Sequence, residues 1–273
     1  RQPLSVPSRS SPGPRPVARG YTYLVAGTGL ATLLLIVLGG VVRVTGSGMG
    51  CGDDWPLCHG RLIPPMELQT LLEYGHRLLA AGVGALAIAV GLVGWHAYRR
   101  NPWVLWPALA VVGVFLLQSL LGGVTVFLEL DPTLVTLHLG AANALLAALV
   151  VLLLATWPRA APADASDAAS SALRRLRPLT LGAAAAVYLL TFSGAYVRGA
   201  MATLACGKDW PLCGGALLPP GELPMVHMAH RFVALGVALL LGHTLAKAWR
   251  HRRAAPGAGP VALGTGVLFV AQV

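Results

Sequence analysis

Three histidines and one glutamate in this 273-residue chain stand where ionisable side chains are costly: His76, His138 and His230 fall in or at the mouth of long apolar stretches, and Glu73 precedes His76 by three residues. Ionisable groups at membrane depth mark functional sites. A neutral imidazole there is suited to bind a metal. On a helix, Glu73 and His76 share one face about one turn apart. A carboxylate beside a metal-bound ligand could shuttle protons or orient a substrate. With equal weight, Glu73 could cap the helix N-terminus, where negative charge is favoured.

His76 opens one apolar stretch and His138 lies a turn or two into another, and both stretches run in the same direction through the membrane. The two imidazoles are therefore expected at similar depth. If their helices face each other, they can ligate one planar metal centre from opposite sides, and a haem has that geometry. His76-Arg77 recurs as His230-Arg231, but Glu73 is replaced by His227. The halves thus keep the ligand and differ in the acid–base group, which points to one reactive site in the first half and one electron-carrying site in the second. Arg77 and Arg231 follow the paired histidines, and Arg43 and Arg198 sit where the first helix of each half emerges. All four are candidates for pairing with haem propionates, with interfacial snorkelling as the plainer role. His59, His96 and His251 are expected at loops or interfaces, and His243 in a helix–helix hydrogen bond.

The elements that must place these residues are membrane helices. The chain is 56% hydrophobic and only 11% charged, with a mean hydropathy of +0.69, too apolar for an ordinary soluble domain. A crossing needs about 20 apolar residues. Six stretches qualify: 21–42, 76–97, 103–128, 133–157, 179–197 and 227–249. A seventh starts near Pro260, and the sequence stops at Val273, so the chain is expected to end inside a helix with part of the native protein missing. Residues 1–20, rich in Pro, Ser and Arg, are expected to be a disordered cytoplasmic tail and not a signal peptide.

The net charge of +10 invites a nucleic-acid reading. There is no P-loop, zinc-finger spacing or long basic run, and the charge is explained by topology. Fourteen of the 20 Lys and Arg residues fall on the side of the tail and of segment 158–178. By the positive-inside rule that side, with the N-terminus, is cytoplasmic. The loops 43–75 and 198–226 then lie outside, and no nucleic acid is expected as a partner.

Those two loops carry an internal repeat. Cys51-Gly-Asp-Asp-Trp-Pro-Leu-Cys58 returns as Cys206-Gly-Lys-Asp-Trp-Pro-Leu-Cys213, and Gly40-Val-Val-Arg43 parallels Ala195-Tyr-Val-Arg198. Gly60-Arg-Leu-Ile-Pro-Pro65 matches Gly215-Ala-Leu-Leu-Pro-Pro220, and Gly113–Gln118 matches Val267–Gln272. Each half should therefore hold four helices, in the same orientation, related by a pseudo-twofold axis along the membrane normal. The expected architecture is all-α, two four-helix bundles with eight spans natively. Residues 21–157 form the first bundle, 158–178 a cytoplasmic linker, and 179–273 an incomplete second bundle. All four cysteines lie in the external loops, where disulfides persist. The pairs Cys51–Cys58 and Cys206–Cys213 are expected, each closing a short loop and contributing roughly 2–3 kcal/mol. The staple is preferred to a redox-active pair, and the spacing is not that of a zinc knuckle.

The run Gly39-Gly-Val-Val-Arg-Val-Thr-Gly-Ser-Gly48, then Asp54-Trp-Pro-Leu-Cys58 and Glu73-Tyr-Gly-His-Arg77, resembles the heme A synthase family. The likeness covers nearly all of the chain after the tail. It implies a plasma-membrane enzyme that oxidises the ring D methyl of haem O to a formyl group through successive hydroxylations, giving haem A for terminal oxidases. It implies His76 and His138 as ligands flanking the substrate haem, Glu73 as the catalytic carboxylate, His230 as a ligand of a haem b in the second half, and Cys51–Cys58 as the external-loop disulfide. It also implies a haem O synthase (a farnesyltransferase) as neighbour and an unidentified electron partner. Two other classes use the same ligands: a b-type electron-transfer cytochrome oxidising quinol, and a haem carrier or transporter.

Overall fold

The structure is a computed structural model that describes residues 17–157, 167–255 and 257–272. Among the described residues there are seven helices: α1 (Arg19–Val44), α2 (Leu68–Tyr98), α3 (Pro102–Phe127), α4 (Pro132–Thr156), α5 (Asp167–Gly199), α6 (Glu222–Arg250) and α7 (Ala258–Gln272). Among the described residues there is no extended strand, only single antiparallel bridges at Cys58–Arg61 and Cys213–Ala216. Six helices, α1 to α6, are long and apolar enough to cross a membrane, and α7 is a shorter apolar helix. The protein is thus an all-helical, multi-pass membrane protein. Residues 1–16 of the expected tail and 158–166 of the expected linker lie outside the described residues.

Three helices start earlier than hydropathy places them. α2 begins at Leu68, so His76 lies two turns inside it and does not open it. α6 begins at Glu222, ahead of His227. α5 begins at Asp167, within the segment expected to be a linker. Hydropathy marks only the residues that match the hydrocarbon core, whereas a helix continues for as long as good helix formers follow. Leu68-Gln-Thr-Leu-Leu-Glu and Ala169–Arg177 are such runs.

Packing groups the chain into two compact units. One holds α1, α2, α3 as far as Ser119, and α4 from Ala144. Its core joins Tyr21, Val25 and Leu35 of α1 to Val83, Ala87 and Val90 of α2, Val104, Ala108 and Val111 of α3, and Leu145, Leu149 and Leu152 of α4. Tyr21 Oη donates to the carbonyl of Val90 at 3.0 Å, and Thr22 Oγ1 to that of Thr156 at 3.0 Å. Between membrane helices the hydrophobic effect supplies no attraction, so close approach and interhelical hydrogen bonds hold them together. A methyl on Gly84 would stand 2.5 Å from the Phe115 ring, which shows how tightly α2 and α3 close.

The other unit holds α3 from Leu120, α4 as far as Asn143, and α5 to α7. Here Tyr188 Oη of α5 donates to the carbonyl of Gly140 at 2.7 Å, beside a T-shaped contact of Tyr188 with Phe192. Leu176, Ala248 and Ala262 bring α5, α6 and α7 together.

Candidate functional site

The two cysteine loops repeat in structure as in sequence. Cys51 is bonded to Cys58 and Cys206 to Cys213, and the Trp55–Pro56 and Trp210–Pro211 bonds are both cis. Trp210 is largely exposed and Trp55 less so, as interface anchors would be. Gly50 presses the first loop onto the start of α2. A methyl there would meet the Gln69 carbonyl at 2.4 Å, while Thr70 Oγ1 and His59 Nε2 reach the Gly50 carbonyl at 2.7 and 3.0 Å.

Glu73 is the focus of this arrangement. It lies in the second turn of α2, only 4% exposed. Its Oε2 accepts the Cys51 amide at 2.8 Å, and its Oε1 accepts Nη2 of Arg77. The capping role is overturned: the N-cap position is Glu67, which makes no capping hydrogen bond. The helix starts early enough to carry Glu73 past its end, under the disulfide loop.

Arg77 also donates through Nη1 to the carbonyls of Asp54 and Leu57. In the second unit Arg231 Nη1 donates to those of Pro211 and Leu212. Both guanidiniums thus tie a disulfide loop to its helix, a role the repeat alone did not disclose. Arg43 and Arg198 lie in the last turns of α1 and α5, where cations oppose the helix dipole favourably.

The three histidines share a feature that sequence reasoning missed. Each imidazole rests on a glycine of the preceding helix. A methyl on Gly39 would stand 3.0 Å from Cε1 of His76, one on Gly122 3.0 Å from Cε1 of His138, and one on Gly194 3.2 Å from Cε1 of His230. All three rings are half-buried. A signal was available, because Gly39 and Gly194 keep the offset that relates Cys51 to Cys206. His138 is placed by a firm helix start: Asp131 Oδ1 accepts the amides of Thr133 and Leu134 at 2.9 and 3.1 Å, with Pro132 at the first helical position.

At the position of Glu73, His227 directs Nδ1 to the carbonyl of Ala202 at 2.9 Å. It therefore carries its proton on Nδ1. His230 Nδ1 lies 2.8 Å from Ser193 Oγ. His243 is exposed on α6, and the expected interhelical hydrogen bond does not form among the described residues.

These donors suit a haem. Among the described residues no three His, Cys, Asp or Glu side chains converge as a bare metal ion would need. A haem needs only one axial imidazole per face. Each ring lies against a glycine where any Cβ would crowd it.

Comparison with known proteins agrees. A family model for COX15-CtaA, described as cytochrome oxidase assembly protein, matches residues 22–273. The Heme A synthase of Shouchella clausii is 34% identical over 230 residues, covering 82% of this chain and 74% of that protein. That of Symbiobacterium thermophilum is 36% identical over 229 residues, covering 82% and 73%. That of Alkalihalophilus pseudofirmus is 32% identical over 228 residues, covering 83% and 75%.

Proposed function

Because the chain belongs to the COX15-CtaA family of cytochrome oxidase assembly proteins, we propose that it is a heme A synthase. It oxidises the ring D methyl of haem O to a formyl group by successive hydroxylations, and the haem A formed serves terminal oxidases. The supporting observation is the buried carboxylate of Glu73, one turn from His76 and fixed by the Cys51 amide and Arg77. Its counterpart in the other half is a histidine.

His76 and His138 would each offer an imidazole to the haem substrate. Glu73 takes up protons released as the methyl is oxidised. Its two oxygens accept from Cys51 and Arg77 and still have lone pairs to offer. Fixed donors hold it in one place, and general acid–base catalysis requires such placement before any question of affinity for the proton.

The second half would hold a haem b, with His230 as a ligand to it and His227 nearby. Such a haem would supply one-electron transfer to the reaction. Arg43 and Arg198 are the arginines we assign to propionates, and Arg77 and Arg231 chiefly hold the loops. The N-terminus is cytoplasmic and the disulfide loops face outward, next to the enzyme that delivers haem O.

The test is extraction of haems from membranes in which the protein has haem O to work on. The native protein yields haem A. Glu73→Ala retains haem O and yields no haem A, and an undiminished haem A yield rejects the role. Haem B alone from the native protein would place it among electron-transfer cytochromes instead.

A further inference from the structure

Ser193 immediately precedes Gly194, the seat of His230 on α5. Its hydroxyl is 2.8 Å from Nδ1 of His230. It also donates to the carbonyl of Leu190, one turn back, at 2.9 Å. A serine hydroxyl has one proton and two lone pairs. With the proton given to Leu190, the oxygen can only accept from His230, so Nδ1 carries the hydrogen. A neutral imidazole in that form presents its lone pair at Nε2.

We propose that Ser193 is a positioning residue for the second-half haem, locking His230 in the tautomer and ring orientation that offer Nε2 to the iron. The proposal rests on the heme A synthase reading, which makes His230 an iron ligand. Ser193 and Gly194 then have separate roles. The glycine gives the ring room at Cε1, and the serine fixes which nitrogen faces away.

The hydroxyl is particular to this hairpin. Leu38 precedes Gly39 and Leu121 precedes Gly122, so the seats of His76 and His138 have no hydroxyl at that position. A partner that accepts the far N–H of a ligating histidine raises the ligand's basicity and strengthens its bond to the metal. A resident electron carrier must stay bound through every turnover.

Two measurements on the full chain test this. First, the haem-free protein is labelled with 15N-histidine and its imidazole nitrogens are read by NMR, with the His230 signals identified by their loss in His230→Gln. The native chain and Ser193→Thr should show the Nδ1–H form, and Ser193→Ala a mixture. A native His230 protonated at Nε2, or an unchanged tautomer in Ser193→Ala, overturns the proposal.

Second, haem b binding is titrated in a His76→Ala/His138→Ala parent, so that only the second-half site is read. Ser193→Ala should weaken binding about tenfold to a hundredfold and shift the reduced haem spectrum, with Ser193→Thr restoring both. Equal affinity and spectrum in all three overturn the proposal. A parent that takes up no haem defeats the haem assignment itself, and this is seen before any Ser193 variant is compared.

Discussion

The amide of Cys51 donates to Oε2 of Glu73 at 2.8 Å across 22 residues of sequence. A disulfide cysteine therefore holds the candidate catalytic carboxylate directly, through its own backbone. The staple and the acid–base group are one structure, because Arg77 joins the same carboxylate to carbonyls inside the Cys51–Cys58 loop.

Opening that loop should misplace Glu73. Displacing a catalytic group by about 1 Å can cost on the order of a hundredfold in rate. Cys58→Ser should therefore lower the rate of haem A formation roughly a hundredfold, while haem O stays bound. Cys206→Ser, in the other loop, should leave most of the conversion in place. Pigment extraction and turnover under matched expression separate the two.

Arg77 is expected to matter for stability as well as position. Its pair with Glu73 is largely buried, and removing one partner of a buried pair costs about 3 kcal/mol or more. Arg77→Met should lower thermal stability in detergent by about that amount, and adding Glu73→Gln should recover part of the loss. Full additivity of the two changes would argue against the coupling.

The glycine seats predict a graded effect. Gly39→Ala, Gly122→Ala and Gly194→Ala each push a methyl against an imidazole, so each should reduce the haem held by that histidine and shift its spectrum. Gly40→Ala and Gly236→Ala, where a methyl meets nothing within 4 Å, should be neutral. Equal losses at all five positions would make the effect one of general helix packing.

The assigned orientation can be read by labelling. The four cysteines are all in disulfides, so an introduced thiol is the reactive one. Lys208→Cys should react with a membrane-impermeant maleimide from outside intact cells, and Arg100→Cys only after permeabilisation. The reverse pattern would invert the topology.

The spans and the duplicated loop were legible in the sequence because each depends on local composition: apolar runs for α1 to α6, and identical residues between Cys51 and Cys58 and between Cys206 and Cys213. Helix starts were less legible. Gln69, Thr70 and Glu73 lower the hydropathy of the run that starts at Leu68 without stopping the helix, so Glu73 reads as an end residue when it is an interior one. The role of Arg77 and Arg231 was hidden for another reason, since their partners are backbone carbonyls, which have no residue identity to read. The seats were half visible, because Gly39 and Gly194 match by offset, but only coordinates show that the absent side chain is what admits His76 and His230.

A glycine on one helix and a histidine on the next recur in α1–α2, α3–α4 and α5–α6. The unit that carries each candidate ligand histidine is therefore a single pair of neighbouring helices, smaller than either repeat half. Mutation, natural or designed, can retune or retire one such group by editing two adjacent helices and leave the others as they were. Duplication of a chain with this construction hands each copy its own histidines, which can then change independently.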